Sequence, residues 1–296
     1  MSLYRGRFAP SPTGPLHLGS LFAALISYLE ARSHNGQWLL RIEDVDAQRE
    51  QPGARQAIID TLLAHGLYWD ESVSCQSDRS HYYEKILKQL ATQNHTFQCP
   101  CSRKQLIDSN GEHLSACQKR TSPQEGNRQD NNRQCATKFK LSDTQFNWVD
   151  DILGSMSFKH SEDFVLKRKE GFYAYQLAVV CDDIEQNITH VVRGSDLLDS
   201  TPMQLALYQA LLTKPPTFGH FPILLNAQQQ KLSKQTYAPA INNNTPVKNL
   251  LSLFAMLHIP VKNKPTTVAD TLQMALEVWD RHYIPAIKSL KHTPTA

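Results

Sequence analysis

The chain has 296 residues, of which 41% are hydrophobic and 20% charged, so it can bury a large core and is not expected to be disordered. It contains no run of about 18 apolar residues and does not open with a basic stretch followed by an apolar one, which argues against a membrane span and a signal peptide. The formal net charge of +3 is too small to indicate a nucleic-acid partner by itself. We therefore expect a cytoplasmic globular protein of two or three subdomains.

The segment Arg7-Phe-Ala-Pro-Ser-Pro-Thr-Gly-Pro-Leu-His-Leu-Gly-Ser20 is the first that indicates chemistry. A strand over Tyr4–Ala9 is expected to lead through a Pro/Gly turn into a helix that starts at His17, where an apolar period of 3.6 residues begins. The start of such a helix offers free backbone N–H groups and a positive dipole end, which suit a phosphate. His17 could reach the same anion, and Gly19 would allow its close approach. The alternative is an ordinary turn with a structural histidine.

A second candidate site follows the predicted strand Trp38–Ile42, which ends in Glu43-Asp44-Val45-Asp46. Acidic residues at the carboxyl end of a parallel strand face the crevice in which open α/β sheets bind ligands. The alternative is a solvated acidic turn. Helices are predicted over Ala54–His65 and Ser80–Gln93, and this alternation of strands and helices predicts a doubly wound parallel sheet of the α/β class.

The middle of the chain contains potential metal ligands. Cysteines in a cytosolic protein favour thiols or metal over disulfides. Three thiolates and one imidazole would complete a closed, structural tetrahedral zinc site, formed by Cys99, Cys101, His113 and Cys117. The alternatives are buried cysteines and a surface histidine, and Cys135 or His95 could replace His113. Residues 119–134 have no apolar period and are expected to form a loop.

An arginine follows the next group of predicted elements. An alternating pattern predicts a strand pair at 136–141 and 148–154, and a β-branched strand is predicted over Ile188–Val192 with Arg193 in the turn after it. A guanidinium can make two parallel charge-assisted hydrogen bonds to a carboxylate, so Arg193 is a candidate binder of an acidic ligand. The alternative is an ion pair with Asp196 or Asp199.

The last third of the chain is predicted to be mostly helical, with helices over Thr201–Leu212, Thr245–His258 and Thr267–Leu290. Between the first two lies Lys231-Leu-Ser-Lys-Gln235, after an extended segment over Phe221–Asn226. Two lysines on a mobile loop could bring positive charge onto a departing pyrophosphate. A Lys-x-x-Lys spacing alone is common and carries little weight.

Together these segments resemble the glutamyl/glutaminyl group of class I aminoacyl-tRNA synthetases. His17-Leu-Gly-Ser20 resembles the family's "HIGH" signature with serine in the fourth position, and Lys231–Gln235 resembles its "KMSKS" signature with glutamine in the last. Arg41-Ile-Glu-Asp-Val-Asp46 is similar to "R-I-E-D-T-D", and Val191-Val-Arg-Gly-Ser-Asp-Leu-Leu198 is similar to another family segment. The resemblance covers most of the chain, with the two signatures in the family's order.

The resemblance implies a fold and a set of site residues. A Rossmann-type catalytic domain would span 1–78 and 177–197, with an inserted acceptor and zinc-binding subdomain at 79–176 and a mostly helical subdomain at 198–296 that carries the lysine loop. ATP with Mg²⁺ would be bound by His17, Gly19, Ser20 and Lys234. The catalytic residues would be His17, Gly19, Lys231 and Lys234. L-Glutamate would be bound by Arg7, Ala9, Ser11, Glu43, Tyr175 and Arg193. In the family a Cys-x-Cys pair is followed by a further ligand four residues before a cysteine, which is His113 here.

The small number of residues after the second signature predicts which molecule accepts the glutamyl group. A glutamyl- or glutaminyl-tRNA synthetase would continue into an anticodon-binding part, so the resemblance is to a shortened branch that transfers glutamate to the queuosine base at the wobble position of tRNA(Asp). We expect a monomer without a membrane partner. A truncated enzyme acylating the 3′ end of tRNA(Glu), a non-catalytic tRNA-binding relative and a zinc-containing nucleic-acid module remain alternatives. The basic run Lys167–Lys169 is a candidate tRNA contact or a solvated charge run.

Overall fold

The computed structural model describes residues 3–108, 135–141, 143–160, 162–226, 228–232, 238–261 and 264–291. In chain order its elements are β1 (Arg5–Phe8), α1 (Leu18–Ser33), β2 (Gln37–Ile42), α2 (Ala54–Ala64), β3 (Ser74–Cys75), α3 (Ser80–Thr92), β4 (Thr96–Cys99), α4 (Arg103–Asp108), β5 (Ala136–Phe139), β6 (Thr144–Asp150), β7 (Gly154–His160), β8 (Phe164–Lys167), α5 (Tyr175–Glu185), β9 (His190–Gly194), α6 (Thr201–Ala210), β10 (Thr217–Phe221), β11 (Ile223–Leu225), α7 (Pro246–Met256), α8 (Val268–Val278) and β12 (Ser289–Lys291).

Parallel strands form the centre of the fold. β1, β2 and β3 run parallel in that order, and β9 lies beside β1, where Thr189 N donates a 2.9 Å hydrogen bond to Arg5 O. β10 runs parallel to β9 and, at Phe218, to β6. The predicted α/β class is therefore confirmed, but the sheet that contains β7, β6, β10 and β9 is mixed, because β7 pairs antiparallel with β6.

Helix α1 fixes the geometry of the N-terminal half. Leu21, Leu25, Ile26 and Leu29 are fully buried, and such side chains contribute about 1.5–3 kcal/mol each relative to exposure. The helix begins after His17, whose Nδ1 accepts a hydrogen bond from Ser20 N at 3.2 Å and thereby caps one of the free amides. The start of α1 is thus held at the carboxyl end of β1.

The prediction that the strands at 136–141 and 148–154 pair with each other is wrong. β5 pairs with β4 and β8, whereas β6 forms a hairpin with β7. Asp150 Oδ1 accepts hydrogen bonds from Ile152 N and Leu153 N at 3.1 and 3.0 Å, and Gly154 adopts a positive φ of 81°. These contacts close a tight turn, so β6 pairs with the strand that follows it in the chain.

The predicted helix over Thr267–Leu290 is too long. α8 ends at Val278, a short 3₁₀ turn follows at Arg281–Tyr283, and β12 pairs in parallel with β11. Pro285 cannot continue a helix because it lacks an amide hydrogen and clashes with the preceding turn. Among the described segments, no helix combines the length and apolar character needed to cross a membrane.

Candidate active site

A cavity of about 540 Å³ opens at the carboxyl ends of β1 and β9, beside the start of α1. Its lining includes residues that the sequence predicted for nucleotide and substrate binding, namely Ser11, His17, Gly19, Ser20 and Lys231. Asp196, which follows β9, lines the same cavity. Crevices at this edge of a parallel sheet are where α/β proteins bind nucleotides. The cavity is therefore the candidate active site.

The His17 ring is held by Ser20. Nδ1 accepts the hydrogen bond of Ser20 N, and Nε2 lies 3.0 Å from Ser20 Oγ. Because Nδ1 acts as acceptor, the network places the ring proton on Nε2. A Cβ on Gly19 would lie 3.2 Å from two atoms of this ring and 3.2 Å from Leu232 O, so a side chain at that position would crowd both. The serine that departs from the family signature thus orients the histidine.

The lysine loop is described only in part. Lys231 Nζ lies 2.5 Å from Asp196 Oδ2, so Lys231 is the ion-pair partner of Asp196 at the cavity. Lys234 and Gln235 lie outside the described residues. The alternative in which Asp196 neutralises Arg193 is wrong.

Arg193 is buried with neutral partners. It lies within β9 and not in the turn after that strand as predicted, and its side chain is 5% exposed. Its partners are Gln204 Oε1 (2.8 Å from Nη1), Thr201 Oγ1 (2.9 Å from Nη2), Leu197 O (3.3 Å from Nη2) and His220 Nε2 (3.0 Å from Nε). No carboxylate of the described part of the chain forms an ion pair with it. Burial lowers the pKa of Arg193, as expected for a buried cation without an ion-pair partner, and the negative charge of Asp183 only opposes this effect.

These contacts restrict how Arg193 can bind an anion. Arginine has five N–H groups; four of them have protein acceptors, and the side chain of Tyr175 is a further hydrogen-bonding neighbour of the guanidinium. The two parallel hydrogen bonds expected from the sequence would therefore require the loss of a protein contact. Arg193 is therefore arranged to supply mainly its charge to a ligand, beside the hydroxyl group of Tyr175. The side chain of Tyr175, at the start of α5, is adjacent and influences the pKa of Arg193.

A second group of charges lies beside Arg193. Arg41 is fully buried and contacts Asp183 Oδ1 at 2.8 Å and Glu43 Oε1 at 3.4 Å. Arg7 Nε lies 3.3 Å from the same Asp183 oxygen, so Asp183 partly neutralises both arginines. Burial raises the pKa of Glu43 to about 7, and Arg41 and Arg7 oppose this rise. Glu43 therefore changes charge near neutral pH.

Electrostatic coupling indicates that the predicted glutamate residues form one cluster. Burial raises the pKa of Tyr175, and the charges that modify it are Arg193, Glu43, Arg7 and Asp183. The loop with Ala9 and Ser11 is tied to this cluster through the backbone, where Glu43 N donates a 3.0 Å hydrogen bond to Pro10 O. The structure thus brings together residues from β1, β2, α5 and β9.

Three residues near this cluster were not assigned a role from the sequence: Arg41, Asp183 and His220. Arg41 could have been recognised as a charge inside the apolar run Trp38–Ile42, because a buried charge must be paired. Asp183 is one such pairing group, at the end of α5. His220 had no local signal, since its contact with Arg193 joins strands that are adjacent only in the folded sheet.

The predicted zinc ligands are only partly described. Cys99 and Cys101 are buried together with Phe97 at the end of β4. Cys99 lies opposite Ala136, so Cys135 is next to this end, whereas the ring of His95 stacks on Phe139 at the other end of the strand. His95 is therefore a wrong choice of substitute ligand. His113 and Cys117 lie outside the described residues, and within the rest no three acidic, His or Cys side chains form a group suited to a metal.

The basic run at 167–169 has intramolecular partners. Lys167 Nζ lies 2.9 Å from Glu84 Oε2, and Arg168 Nη1 lies 3.1 Å from Asp46 Oδ2. Lys169 Nζ donates a 2.6 Å hydrogen bond to Pro100 O. These contacts stabilise the structure around β8 and give no indication of a tRNA surface.

Comparison with known proteins defines the class. Residues 4–256 match the family of class I tRNA synthetases (E and Q), catalytic domain, and the chain belongs to this family. A glutamyl-Q tRNA(Asp) synthetase from Idiomarina loihiensis is 44% identical over 282 residues, which cover 94% of this chain and 97% of that protein. The enzyme of the same name from Colwellia psychrerythraea is 42% identical, covering 95% and 92% of the two chains.

Solved structures agree with this class. A crystal structure of a glutamate tRNA ligase from Elizabethkingia meningosepticum, in complex with its amino acid, matches with a TM-score of 0.82 and 25% identity. The match covers 99% of this chain and 67% of that one. A glutamate-tRNA synthetase from Elizabethkingia anophelis matches with a TM-score of 0.81.

Proposed function

We propose that this chain activates L-glutamate with ATP to glutamyl-adenylate and transfers the glutamyl group to the queuosine base at the wobble position of tRNA(Asp). The observation that carries the first step is the buried guanidinium of Arg193, which has neutral hydrogen-bond partners and lies beside Tyr175 and Arg7. A buried cation without a countercharge is costly unless an anion binds to it. The acceptor is supported by the relatives named glutamyl-Q tRNA(Asp) synthetase.

Each end of glutamate has a complementary group in this proposal. Arg193, Arg7 and Tyr175 receive the side-chain carboxylate, and Glu43 receives the ammonium group. Because Asp183 already contacts Arg7, Arg193 supplies most of the charge that distinguishes glutamate from a neutral amino acid. Ala9 and Ser11 line the remaining side of the amino-acid site.

The nucleotide site lies at the start of α1. Its free amides, His17 and Ser20 bind the phosphates, Gly19 leaves room for them, and Lys231 and Lys234 stabilise the charge of the departing pyrophosphate. Mg²⁺ would enter on the nucleotide phosphates and offset their charge. The protein aligns the α-carboxylate of glutamate with the α-phosphate, so positioning and electrostatics account for activation without a general base.

We also propose the domain division expected from the sequence, with catalytic segments 1–78 and 177–197, an insertion at 79–176 and a final part at 198–296. The antiparallel sheet of β4, β5 and β8 supports a separate insertion. The hairpin β6–β7 lies inside it in the chain and joins it to the parallel strands through β10.

The acceptor is tested with defined tRNAs. Adenylate formation, measured by glutamate-dependent exchange of pyrophosphate into ATP, should proceed without RNA. Labelled glutamate should then be transferred to tRNA(Asp) with queuosine and not to the same tRNA with guanosine at the wobble position, and the label should survive removal of the 3′-terminal adenosine. Efficient charging of tRNA(Glu) at its 3′ end would instead establish a truncated glutamyl-tRNA synthetase, and absence of exchange would establish a binding protein.

The pH dependence of glutamate binding tests the role of Glu43. Its raised pKa of about 7 means that the carboxylate needed for the ammonium group is lost as pH falls below 7. The KM for glutamate in the exchange reaction should therefore rise toward about tenfold per pH unit between pH 7 and 5.5, while it changes little above pH 8. Glu43→Gln should have a raised KM without this dependence. A flat profile in the unsubstituted enzyme would contradict the assignment, and the KM for ATP serves as the internal control.

We further propose that Cys99, Cys101, His113 and Cys117 hold one structural zinc ion. The burial of Cys99 and Cys101 at one strand end fits such a site. Metal analysis should give about one zinc per chain, and Cys101→Ser should lose the metal together with local stability. Cys75→Ser, at a buried cysteine on β3, is the matched control and should retain it. A metal-free, fully active enzyme would refute the site, whereas zinc retained by His113→Ala would indicate Cys135 as the fourth ligand.

A further inference from the structure

Arg193 is the end of a buried hydrogen-bonded chain that continues through His220 to Asp150. Arg193 Nε donates to His220 Nε2 at 3.0 Å, and His220 Nδ1 lies 2.5 Å from Asp150 Oδ2. His220 and Asp150 are 0% and 2% exposed, so water cannot replace either contact. The chain links three neighbouring strands, because Arg193 lies on β9, His220 on β10 and Asp150 on β6.

The direction of these hydrogen bonds fixes the histidine tautomer. Arginine can only donate, so His220 Nε2 must accept and the ring proton must lie on Nδ1, from which it is donated to Asp150. Because Nε2 accepts a hydrogen bond from Arg193, the ring is neutral; burial and the nearby Arg193 also lower the pKa of His220, against the effect of Asp150. Asp150 is itself held in place, because its Oδ1 accepts from the backbone amides of His220, Ile152 and Leu153.

We infer that His220 and Asp150 are positioning residues for glutamate recognition, with Asp150 selecting the His220 tautomer that orients the Arg193 guanidinium toward the substrate carboxylate. The inference rests on the proposed function, in which Arg193 binds that carboxylate. With Nε held by His220, Nη1 by Gln204 and Nη2 by Thr201, the guanidinium cannot rotate, and the direction in which it faces a ligand is fixed.

The substitution Asp150→Asn separates this role from a simple electrostatic one. Asparagine keeps an oxygen for the three backbone amides but places an NH₂ group opposite His220 Nδ1, which favours the tautomer with the proton on Nε2. Two donors would then face each other between His220 and Arg193, and the guanidinium would be displaced. In contrast, loss of a negative charge near Arg193 would by itself strengthen its attraction for an anion. The two accounts predict opposite changes in glutamate affinity.

The test measures pyrophosphate exchange and histidine NMR on the full-length chain. Asp150→Asn should raise the KM for glutamate by about tenfold, the order expected for a charge-assisted hydrogen bond, with the KM for ATP unchanged. The ¹⁵N shifts of His220 should show the proton moved from Nδ1 to Nε2. A glutamate KM that is unchanged or lower, or an unchanged tautomer, would overturn the inference.

A second pair of variants covers the case in which Asp150→Asn does not fold. His220→Gln retains an acceptor near the position of Nε2, whereas His220→Leu does not, so the glutamate KM should rise more in the leucine variant at equal ATP KM. Equal effects of the two variants would count against positioning. Arg193→Ala is the reference: if it activates glutamate normally, the assignment of Arg193 to the carboxylate pocket fails, and if it alone is impaired, only the positioning role fails.

Discussion

Replacement of Arg193 by alanine is expected to raise the KM for glutamate by about two orders of magnitude or more while the KM for ATP stays within a fewfold. Removing one partner of a buried charge pair costs about 3–5 kcal/mol, and each 1.4 kcal/mol is a factor of ten in affinity. The large effect follows from the burial of Arg193 and from the pairing of Arg7, the other cation assigned to this carboxylate, with Asp183. Pyrophosphate exchange at varied glutamate and ATP concentrations measures both constants.

The stabilisation of the folded state by glutamate gives an independent measurement. A ligand that binds only the native state raises its melting temperature, so glutamate should shift the melting temperature of the unsubstituted enzyme but not that of Arg193→Ala. Lys159→Ala, at a 67% exposed lysine on the β6–β7 hairpin, is the control and should retain the shift. Normal activation of glutamate by Arg193→Ala would show that the pocket is assigned incorrectly.

Arg41→Ala is expected to lower the free energy of unfolding by about 3–5 kcal/mol, the range measured when a buried ion pair loses one partner. Arg41 is completely buried and contacts both Asp183 and Glu43, which would be left with reduced compensation. Its loss should also raise the pKa of Glu43 further, because Arg41 is the largest charge that opposes the effect of burial there. The glutamate KM should then become dependent on pH at higher values than in the unsubstituted enzyme.

Chemical denaturation monitored by two probes would measure this loss and check for intermediates in a chain of this size. Lys159→Ala breaks a pair with Asp143 in which both side chains are more than half exposed, and such pairs contribute at most about 1 kcal/mol. A midpoint for Arg41→Ala equal to that of Lys159→Ala would contradict the structural importance of the buried arginine.

Elements whose partners are close in sequence could be predicted well. The apolar period of α1 located the start of this helix within one residue, and the β-branched run before Arg193 located β9 within two residues. The pairing of β5 with β4 and β8 could not be predicted, because an alternating pattern shows which face is buried but not which strand lies alongside. β10 was missed because Thr217-Phe-Gly-His-Phe221 contains a glycine and a histidine that weaken the strand pattern.

The site was predicted mainly by resemblance, since the spacing of Arg7, Glu43, Tyr175 and Arg193 contains no period that relates them. The structure adds the groups that surround these residues. Asp183 compensates the charges of the buried Arg7 and Arg41. The neutral hydrogen-bond partners of Arg193 became evident only from the packing of β9 against β10 and α6. Such contacts join residues that are far apart in the sequence, so no local sequence pattern predicts them.

The central position of β1 has a consequence for biosynthesis. β1 lies between β2 and β9, and its hydrogen bond to Thr189 joins residues that are 184 positions apart. At a translation rate of about 5–20 residues per second, roughly 10–40 seconds pass on the ribosome before the second neighbour of β1 has been made. During that interval one edge of β1 has unpaired amide and carbonyl groups that can bind another strand. The nascent chain therefore carries its active-site strand as an open edge until most of the protein has been synthesised.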